Sequence, residues 1–409
     1  MRLLMLVPYY APDLGPSAPL FTMLATEFVR RGHQVTALAA VPHYPSGSVP
    51  DTYRKQWIQR SSENGVDVIR VRIPSVKRAN MPQRSLQYIC YQLGAAWAGS
   101  GLKYDIAYVA NPALWIWLPF LWLIVLRHKP AIFSIQDVYP DVGVTLGVFR
   151  HKPIIKAVAS LERFCLKHSD VVQIISDSFR PGLRALGVPD SKMVLVNNWV
   201  DTKLIQPLSK ENTFSREFHL AGCFVVLYAG NIGLSQGLEH VLTAARQLID
   251  HHDIRFVFVG DGAGHGKLVA EAEQRRLSNV QFLPFQSRSR LSEVLATADV
   301  SLVMLRRGIG AGSLPSKMFS ILASGRPILA SVDEGCETWE LVKRAKAGIC
   351  VPPEDPSELA KAILALKQDQ NLRENLGRNG RIWAEQYLSP ESAAEQFELL
   401  FAAALAKRP

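Results

Sequence analysis

Pro315-Ser316-Lys317, at the head of an apolar run that closes on Gly325-Arg326-Pro327, is the stretch of this chain best suited to chemistry. Pro315 suits the first turn of a helix, Ser313 and Ser316 are candidate caps, and Gly325 with Arg326-Pro327 reads as a stop before a buried strand at 328–331. A helix start offers unpaired backbone N–H groups and the positive end of the helix dipole. With the Ser316 hydroxyl and the Lys317 ammonium added, it becomes an anion site suited to phosphate. The alternative is a surface helix carrying one solvated lysine. Other polar groups stand at the ends of predicted strands: Gly15 after the first, and Gln136-Asp137 after the strand at 131–135. Open α/β sheets bind ligands at such strand ends. The first loop is not Gly-x-Gly-x-x-Gly, which leaves a nicotinamide-binding reading with little support.

Two domains must position these groups, because 409 residues exceed what one core organises. Arg2–Val7 reads as a buried strand, too short for a signal-peptide core. A turn-rich loop, a helix from about Ala18 to Arg31 with Leu20, Leu24 and Phe28 on one stripe, and a strand from Gln34 follow. This strand-loop-helix-strand order predicts a parallel sheet with right-handed crossovers. Further strands are expected at 66–72, 106–109, 131–135 and 171–175, and the polar ends at 104–112 and 135–141 point at one cleft. A second series begins with the strand Phe224–Ala229, runs into Gly230-Asn231-Ile232-Gly233, and continues through strands at 255–259, 280–283, 300–305 and 328–331. The fold class is therefore α/β, with Rossmann-like domains at 1–200 and 201–388 and a C-terminal helix at 389–409 packing back towards the hinge.

Five cysteines, odd in number and never spaced Cys-x-x-Cys, suggest neither a disulfide framework nor a zinc site, and a reducing cytoplasm fits. Of the 46 Lys+Arg, 22 lie in residues 1–200, against only 12 of the 36 Asp+Glu, so the first half carries the whole formal charge of +10. Such a half implies an anionic partner. Nucleic acid, an acidic ligand and the anionic inner face of a membrane are the candidates, and nucleic acid is the weakest, since no recognised binding motif accompanies the charge. A membrane surface is the stronger candidate. The segment 75–91 interleaves Lys77, Arg78 and Arg84 with Met81, Leu86, Tyr88 and Tyr91, and 113–126 is the most apolar stretch, followed by Arg127-His128-Lys129. About 14 residues, interrupted by Pro119, fall short of the roughly 20 that cross a bilayer, so that stretch reads as a core helix before an interfacial one.

Together these pieces resemble a bacterial glycosyltransferase of family 4 with the two-domain GT-B fold. Within it, the likeness is to the branch that builds colanic acid, O-antigen and similar surface polysaccharides. The matching runs are Pro12-Asp13-Leu14-Gly15, Arg31-Gly32-His33, Pro42-His43-Tyr44-Pro45, Gln136-Asp137, Asn198-Trp199-Val200-Asp201, Gly230 to Gly237, Val259 to Gly262, and Pro315-Ser316-Lys317 with Ala323 to Pro327. Each is weak alone; their order over about 400 residues is specific.

The resemblance implies transfer of a sugar, such as fucose or N-acetylfucosamine, from a nucleotide-diphosphate donor to a polyprenyl-diphosphate-linked saccharide at the inner face of the cytoplasmic membrane. Configuration would be retained, with no cofactor and no metal, in keeping with the lack of any Asp-x-Asp. The donor diphosphate would be met by Gly15, Ser17, Gly230, Asn231, Gln236, Ser316 and Lys317. The nucleoside would lie near Asp261, Gly262, Phe285 and Ser320, and Gln136 and Asp137 would stand at the reacting groups. Two glutamates common in such enzymes are replaced here by Gly312 and Ser320, and a usual Arg and Lys by Asn231 and Gln236. Arg306 and Arg307 are the expected compensating cations. The competing readings are a non-catalytic member of a polysaccharide assembly complex and a nucleotide-sugar epimerase of the same fold.

Overall fold

The computed structural model describes residues 1–15, 17–44, 46–76, 81–140, 151–310 and 314–407. It divides into two compact units: Met1–Asn198 with the C-terminal segment from Pro390, and Trp199–Ser389.

In the first unit the strands are β1 (Arg2–Leu6), β2 (Gln34–Ala40), β3 (Ile58–Glu63), β4 (Val66–Val71), β5 (Ile106–Ala110), β6 (Ala131–Ile135), β7 (Val171–Ile174) and β8 (Met193–Leu195), in the order β3-β4-β2-β1-β5-β6-β7-β8. All pairings are parallel except that of β3, which runs antiparallel on β4. The chain reverses its direction of growth between β1 and β5, so the loops after these strands open a crevice at the carboxyl edge. The near-continuous apolar runs of β1 and β5 are buried, as strands covered on both faces must be.

The C-terminal helix Pro390–Ala406 belongs to this unit. Phe397 packs on Phe28 and Tyr108, with ring centroids 6.4 and 5.3 Å apart, and Phe401 lies 5.3 Å from Phe28. Glu398 takes a two-pronged pair from Arg31 at 2.9 and 2.8 Å and meets His33 Nε2 at 2.8 Å.

The second unit holds β9 (Phe224–Ala229), β10 (Ile254–Val259), β11 (Val280–Leu283), β12 (Val300–Met304), β13 (Ile328–Ser331) and β14 (Gly348–Val351), all parallel, in the order β11-β10-β9-β12-β13-β14. Alternation along β9 sends Leu227 into one core, with Val257, Phe319 and Leu322, and Val226 into another, with Phe256, Leu242 and Ile363. Its switch point lies between β9 and β12.

Three strands escaped the sequence reading: β3, β8 and β14. β3 is an edge strand with three residues partly buried and three exposed, so Ile58 to Glu63 carries no apolar alternation. The segment 75–91 is corrected in part. Lys77 and Arg78 lie outside the described residues, and Tyr91 is not at the surface but fully buried, donating to Leu38 O at 2.8 Å from within the helix Met81–Gly99. Most of 113–126 is core, including Trp115, Ile116, Phe120 and Leu123. Among the described residues no helix is long and apolar enough to cross a membrane.

Candidate active site

In the second unit the loops after β9 and β10 are joined backbone to backbone. Gly230 N–H donates to Val259 O at 2.9 Å, Ile232 N–H to Asp261 O at 2.9 Å, and Gly264 N–H to Ile232 O at 2.8 Å. Gly260 has φ +144° and a Cβ on it would lie 2.1 Å from Gly230 O, so no other residue fits.

Lys317 opens the helix Lys317–Ala323, which Met318, Phe319, Ile321 and Leu322 anchor in the core. The lysine stem is partly exposed, but its ammonium is buried and, among the described residues, has no hydrogen-bond partner. It lies 3.5 Å from the centroid of the Tyr228 ring, a cation–π contact. Gly230 makes room for it: a Cβ there would sit 3.2 Å from Nζ. Burial lowers the Lys317 pKa to about 7. Tyr228 Oη donates to Asn231 O at 2.7 Å, tying the ring under the lysine to the glycine loop. An anion entering here would recharge the ammonium without displacing an existing carboxylate.

The other expected donor residues separate into groups. Asn231 and Gln236 flank Gly233, whose N–H donates to Gln236 Oε1 at 3.0 Å. Asp261 is exposed and accepts from Gly262 N–H at 2.7 Å. Arg306 stands beside the same loop but is engaged, donating from Nε to Leu234 O at 2.6 Å and pairing with Glu239. Arg307 donates to Pro353 O at 3.2 Å and approaches Glu354. Ser316 holds the N-cap position, yet its side chain caps nothing, a correction to the sequence reading. Ser320 lies one turn beyond Lys317, half-buried, and Phe285 follows β11 with 76% exposure. Ser313 and Gly312 lie outside the described residues.

At the carboxyl edge of the first sheet, Asp13 organises the loop that holds Gly15. Its carboxylate accepts from Gly15 N–H at 2.7 Å and His43 N–H at 2.8 Å, and lies 3.2 Å from His43 Nδ1. Burial alone would raise the Asp13 pKa; the bonds from His43 and Gly15 outweigh it and hold the carboxyl below its ordinary value. His43 Nδ1 also faces Val41 O at 3.0 Å, so that nitrogen carries a proton. Tyr9 stacks on the imidazole at 5.3 Å. Ser17 precedes the helix Ala18–Arg30 and makes no side-chain cap.

Gln136 is fixed by its neighbours: its N–H donates to Asn111 Oδ1 at 2.9 Å, and its Oε1 accepts from Asn198 Nδ2 at 2.9 Å. Its Nε2 reaches Ser134 Oγ at 3.2 Å, which in turn donates to Gln173 Oε1 at 2.5 Å. Beside it, the Asp137 side chain reaches solvent, yet crowding by protein raises its carboxyl above the usual range. The sequence reading missed Asp13 and His43 as partners, although both lie in motifs it singled out. Asn111 lies in the polar strand end at 104–112 that pointed at the cleft, whereas Ser134 and Gln173, single polar residues within buried strands, gave no signal.

Residues 17–199 match the model of the glycosyl transferase 4-like domain, and residues 209–383 that of glycosyl transferases group 1. The chain is 28% identical over 411 residues to a putative colanic acid biosynthesis glycosyl transferase, WcaI, of Escherichia coli, covering 97% of this chain and 98% of that one. It is 24% identical over 255 residues, 61% of this chain and 63% of the other, to the N,N'-diacetylbacillosaminyl-diphospho-undecaprenol alpha-1,3-N-acetylgalactosaminyltransferase of Campylobacter jejuni. Among solved structures, a sucrose-phosphate synthase from Thermosynechococcus elongatus superposes with a TM-score of 0.74 at 17% identity, covering all of both chains.

Proposed function

Because the chain belongs to the glycosyltransferases, with a 4-like domain followed by a group 1 domain in the GT-B fold, we propose a specific transfer. A sugar passes from a nucleotide-diphosphate donor held by the second unit to a polyprenyl-diphosphate-linked saccharide in surface polysaccharide biosynthesis. The observation that carries this reading is the Lys317 ammonium, buried against Gly230 without a hydrogen-bond partner among the described residues. As the anomeric C–O bond breaks, negative charge grows on the leaving diphosphate, and a preorganised cation beside it stabilises that change more than it stabilises the bound donor. Asn231, Gln236 and Ser316 supply polar contacts around it, and Asp261, Gly262, Phe285 and Ser320 receive the nucleoside.

The transfer retains configuration by front-face attack. The acceptor oxygen bonds to the anomeric carbon on the side the diphosphate leaves, and its proton passes to the departing phosphate oxygen. Gln136 and Asp137 position the reacting groups; neither acts as a covalent nucleophile. No metal is assigned to the step, and no cofactor. Fucose and N-acetylfucosamine are the sugars favoured by the likeness to the colanic acid branch. The enzyme works at the inner face of the cytoplasmic membrane.

A thermal-shift screen against GDP, UDP, dTDP, ADP and CMP, with and without chelator, tests the donor site. The expected result is a rise with one diphosphate that persists in chelator and is absent from Lys317→Ala. No rise with any of them overturns the donor assignment. Proton NMR of the product, read at the anomeric position, then distinguishes retention from inversion.

A further inference from the structure

Three helical segments of the first unit cover one face of its sheet, and their outward sides are unusual in composition. The helix Met81–Gly99 turns Tyr91, Ala95 and Ala98 into the core, while Leu86, Ile89, Leu93 and Trp97 are 49%, 52%, 56% and 70% exposed. Their spacing places them on one stripe. Next to it, Trp122 and Leu126 project from 113–126, each at least half exposed, and Trp122 Nε1 donates to Ser100 Oγ at 2.9 Å, joining the two segments. On the far side of 113–126, the helix Lys152–His168 packs Phe164 against Trp117 and Phe120. Opposite its buried Val158, Glu162 and Cys165 it presents Lys156, Arg163 and Lys167, with Lys152 a turn before them.

None of these four cations has an acidic partner among the described residues. The three segments contain a single acidic residue, Glu162, and it is buried. A face open to water ordinarily carries both signs of charge and few large apolar groups in contact with one another. A polypeptide partner would itself offer both signs. An apolar stripe with tryptophans, whose own three segments expose cations and no acid, matches a flat anionic layer with an apolar interior.

We propose that this face lies in the plane of an anionic phospholipid bilayer. Leu93, Trp97 and Trp122 enter the boundary between headgroups and acyl chains, and Lys156, Arg163 and Lys167 meet lipid phosphates. The helices lie on the surface and do not span it, since none is long and apolar enough to cross. The inference deepens the reading of a lipid-linked acceptor and rests on it only for its biological sense; the geometry stands without it.

Sedimentation of the full chain with vesicles tests the face without any saccharide present. Binding is expected to vesicles of phosphatidylglycerol and phosphatidylcholine, weak on phosphatidylcholine alone, and decreasing as salt rises. The double change Lys156→Glu with Arg163→Glu lowers apparent affinity by about tenfold or more. Leu93→Ser with Trp97→Ser weakens binding on both vesicle types. Both variants keep the melting temperature and keep transfer to a water-soluble acceptor of short chain. Equal binding by the variants overturns the proposal, as does no binding by the parent protein. A dimer in sedimentation velocity that Trp97→Ser dissociates, without vesicle binding, overturns it in favour of self-association. Vesicle binding by a protein that transfers no sugar supports the face and counts against the transferase reading alone.

Discussion

Asp13 and Lys317 are both buried charges at the carboxyl edge of a parallel sheet, one in each unit. The Asp13 carboxylate is surrounded by donors, from Gly15, from the His43 backbone and beside His43 Nδ1, and these keep it ionised despite burial. Among the described residues the Lys317 ammonium meets the face of Tyr228 and no hydrogen-bond partner, and burial brings its pKa down to about 7. The pairing of Asp13 is complete before any ligand arrives, so its energy goes into holding a loop. Lys317 has its strongest interaction still to make, so it gains most from an anion.

Lys317→Ala breaks this comparison most directly. Transfer falls by about a hundredfold, about 2.7 kcal/mol at the transition state. The melting temperature of the nucleotide-free protein holds or rises, because a buried cation with no hydrogen-bond partner among the described residues has been removed. Unchanged kcat/KM would take Lys317 out of the site. Gly260→Ala strikes the backbone that shapes the same pocket: its Cβ would meet Gly230 O at 2.1 Å, so a loss of about 2–3 kcal/mol in stability is expected from denaturant titration.

Asp13→Asn tests the other side. It costs about 1–2 kcal/mol at neutral pH, by loss of charge-assisted bonds. The depressed Asp13 pKa contributes stability that is present above the ordinary carboxyl value and lost as pH falls through the folded value. Unfolding curves for variant and parent therefore converge in acid; a constant gap would mean that the charge itself does nothing. The comparison sharpens through nucleotide affinity against pH. A ligand phosphate raises the Lys317 pKa from about 7, so binding takes up a proton and weakens as pH rises above that value, by at most about tenfold per pH unit. Calorimetry in buffers of different ionisation enthalpy reads this uptake, and Lys317→Ala should abolish it.

Glu162 gives the smallest effect. It is buried, accepts from Ala113 N–H at 2.8 Å, and burial pushes its pKa up to about 8. Stability held by its bound proton is fully present below the ordinary value of 4.5 and is lost as pH rises through about 8. Glu162→Gln cannot ionise. It should match the parent in mild acid and melt a few degrees higher at alkaline pH; equal melting at both would show the carboxyl to be hydrated.

The strands of both sheets are legible where they are buried on both faces, as Leu3–Leu6 and Val225–Tyr228 are, because such strands leave an apolar run in the sequence. Where one face meets solvent, as in β3, the signal fades. Lys317 was legible as an anion ligand from the residues around it, but its burial was not, since that depends on Gly230 and Tyr228, nearly ninety positions away. The Asp13–His43 pair shares this difficulty, because thirty residues and one parallel crossover separate the partners. Segment 75–91 misled for a local reason. Alternating aromatics say nothing of which side of a helix faces the sheet, and Tyr91 took the inner side while Ile89 and Leu93 took the outer.

The helix Pro390–Ala406 closes the first unit although almost two hundred residues of the second are synthesised before it. On the ribosome, the second unit is a contiguous stretch that can fold as soon as it emerges, while the first waits with Phe28, Tyr108 and Arg31 lacking Phe397 and Glu398. Completion of the older half thereby waits until the second unit has been translated. A chain released early from translation displays an unfinished apolar seam on its first unit, the kind of surface by which proteases and chaperones sort incomplete products from finished ones.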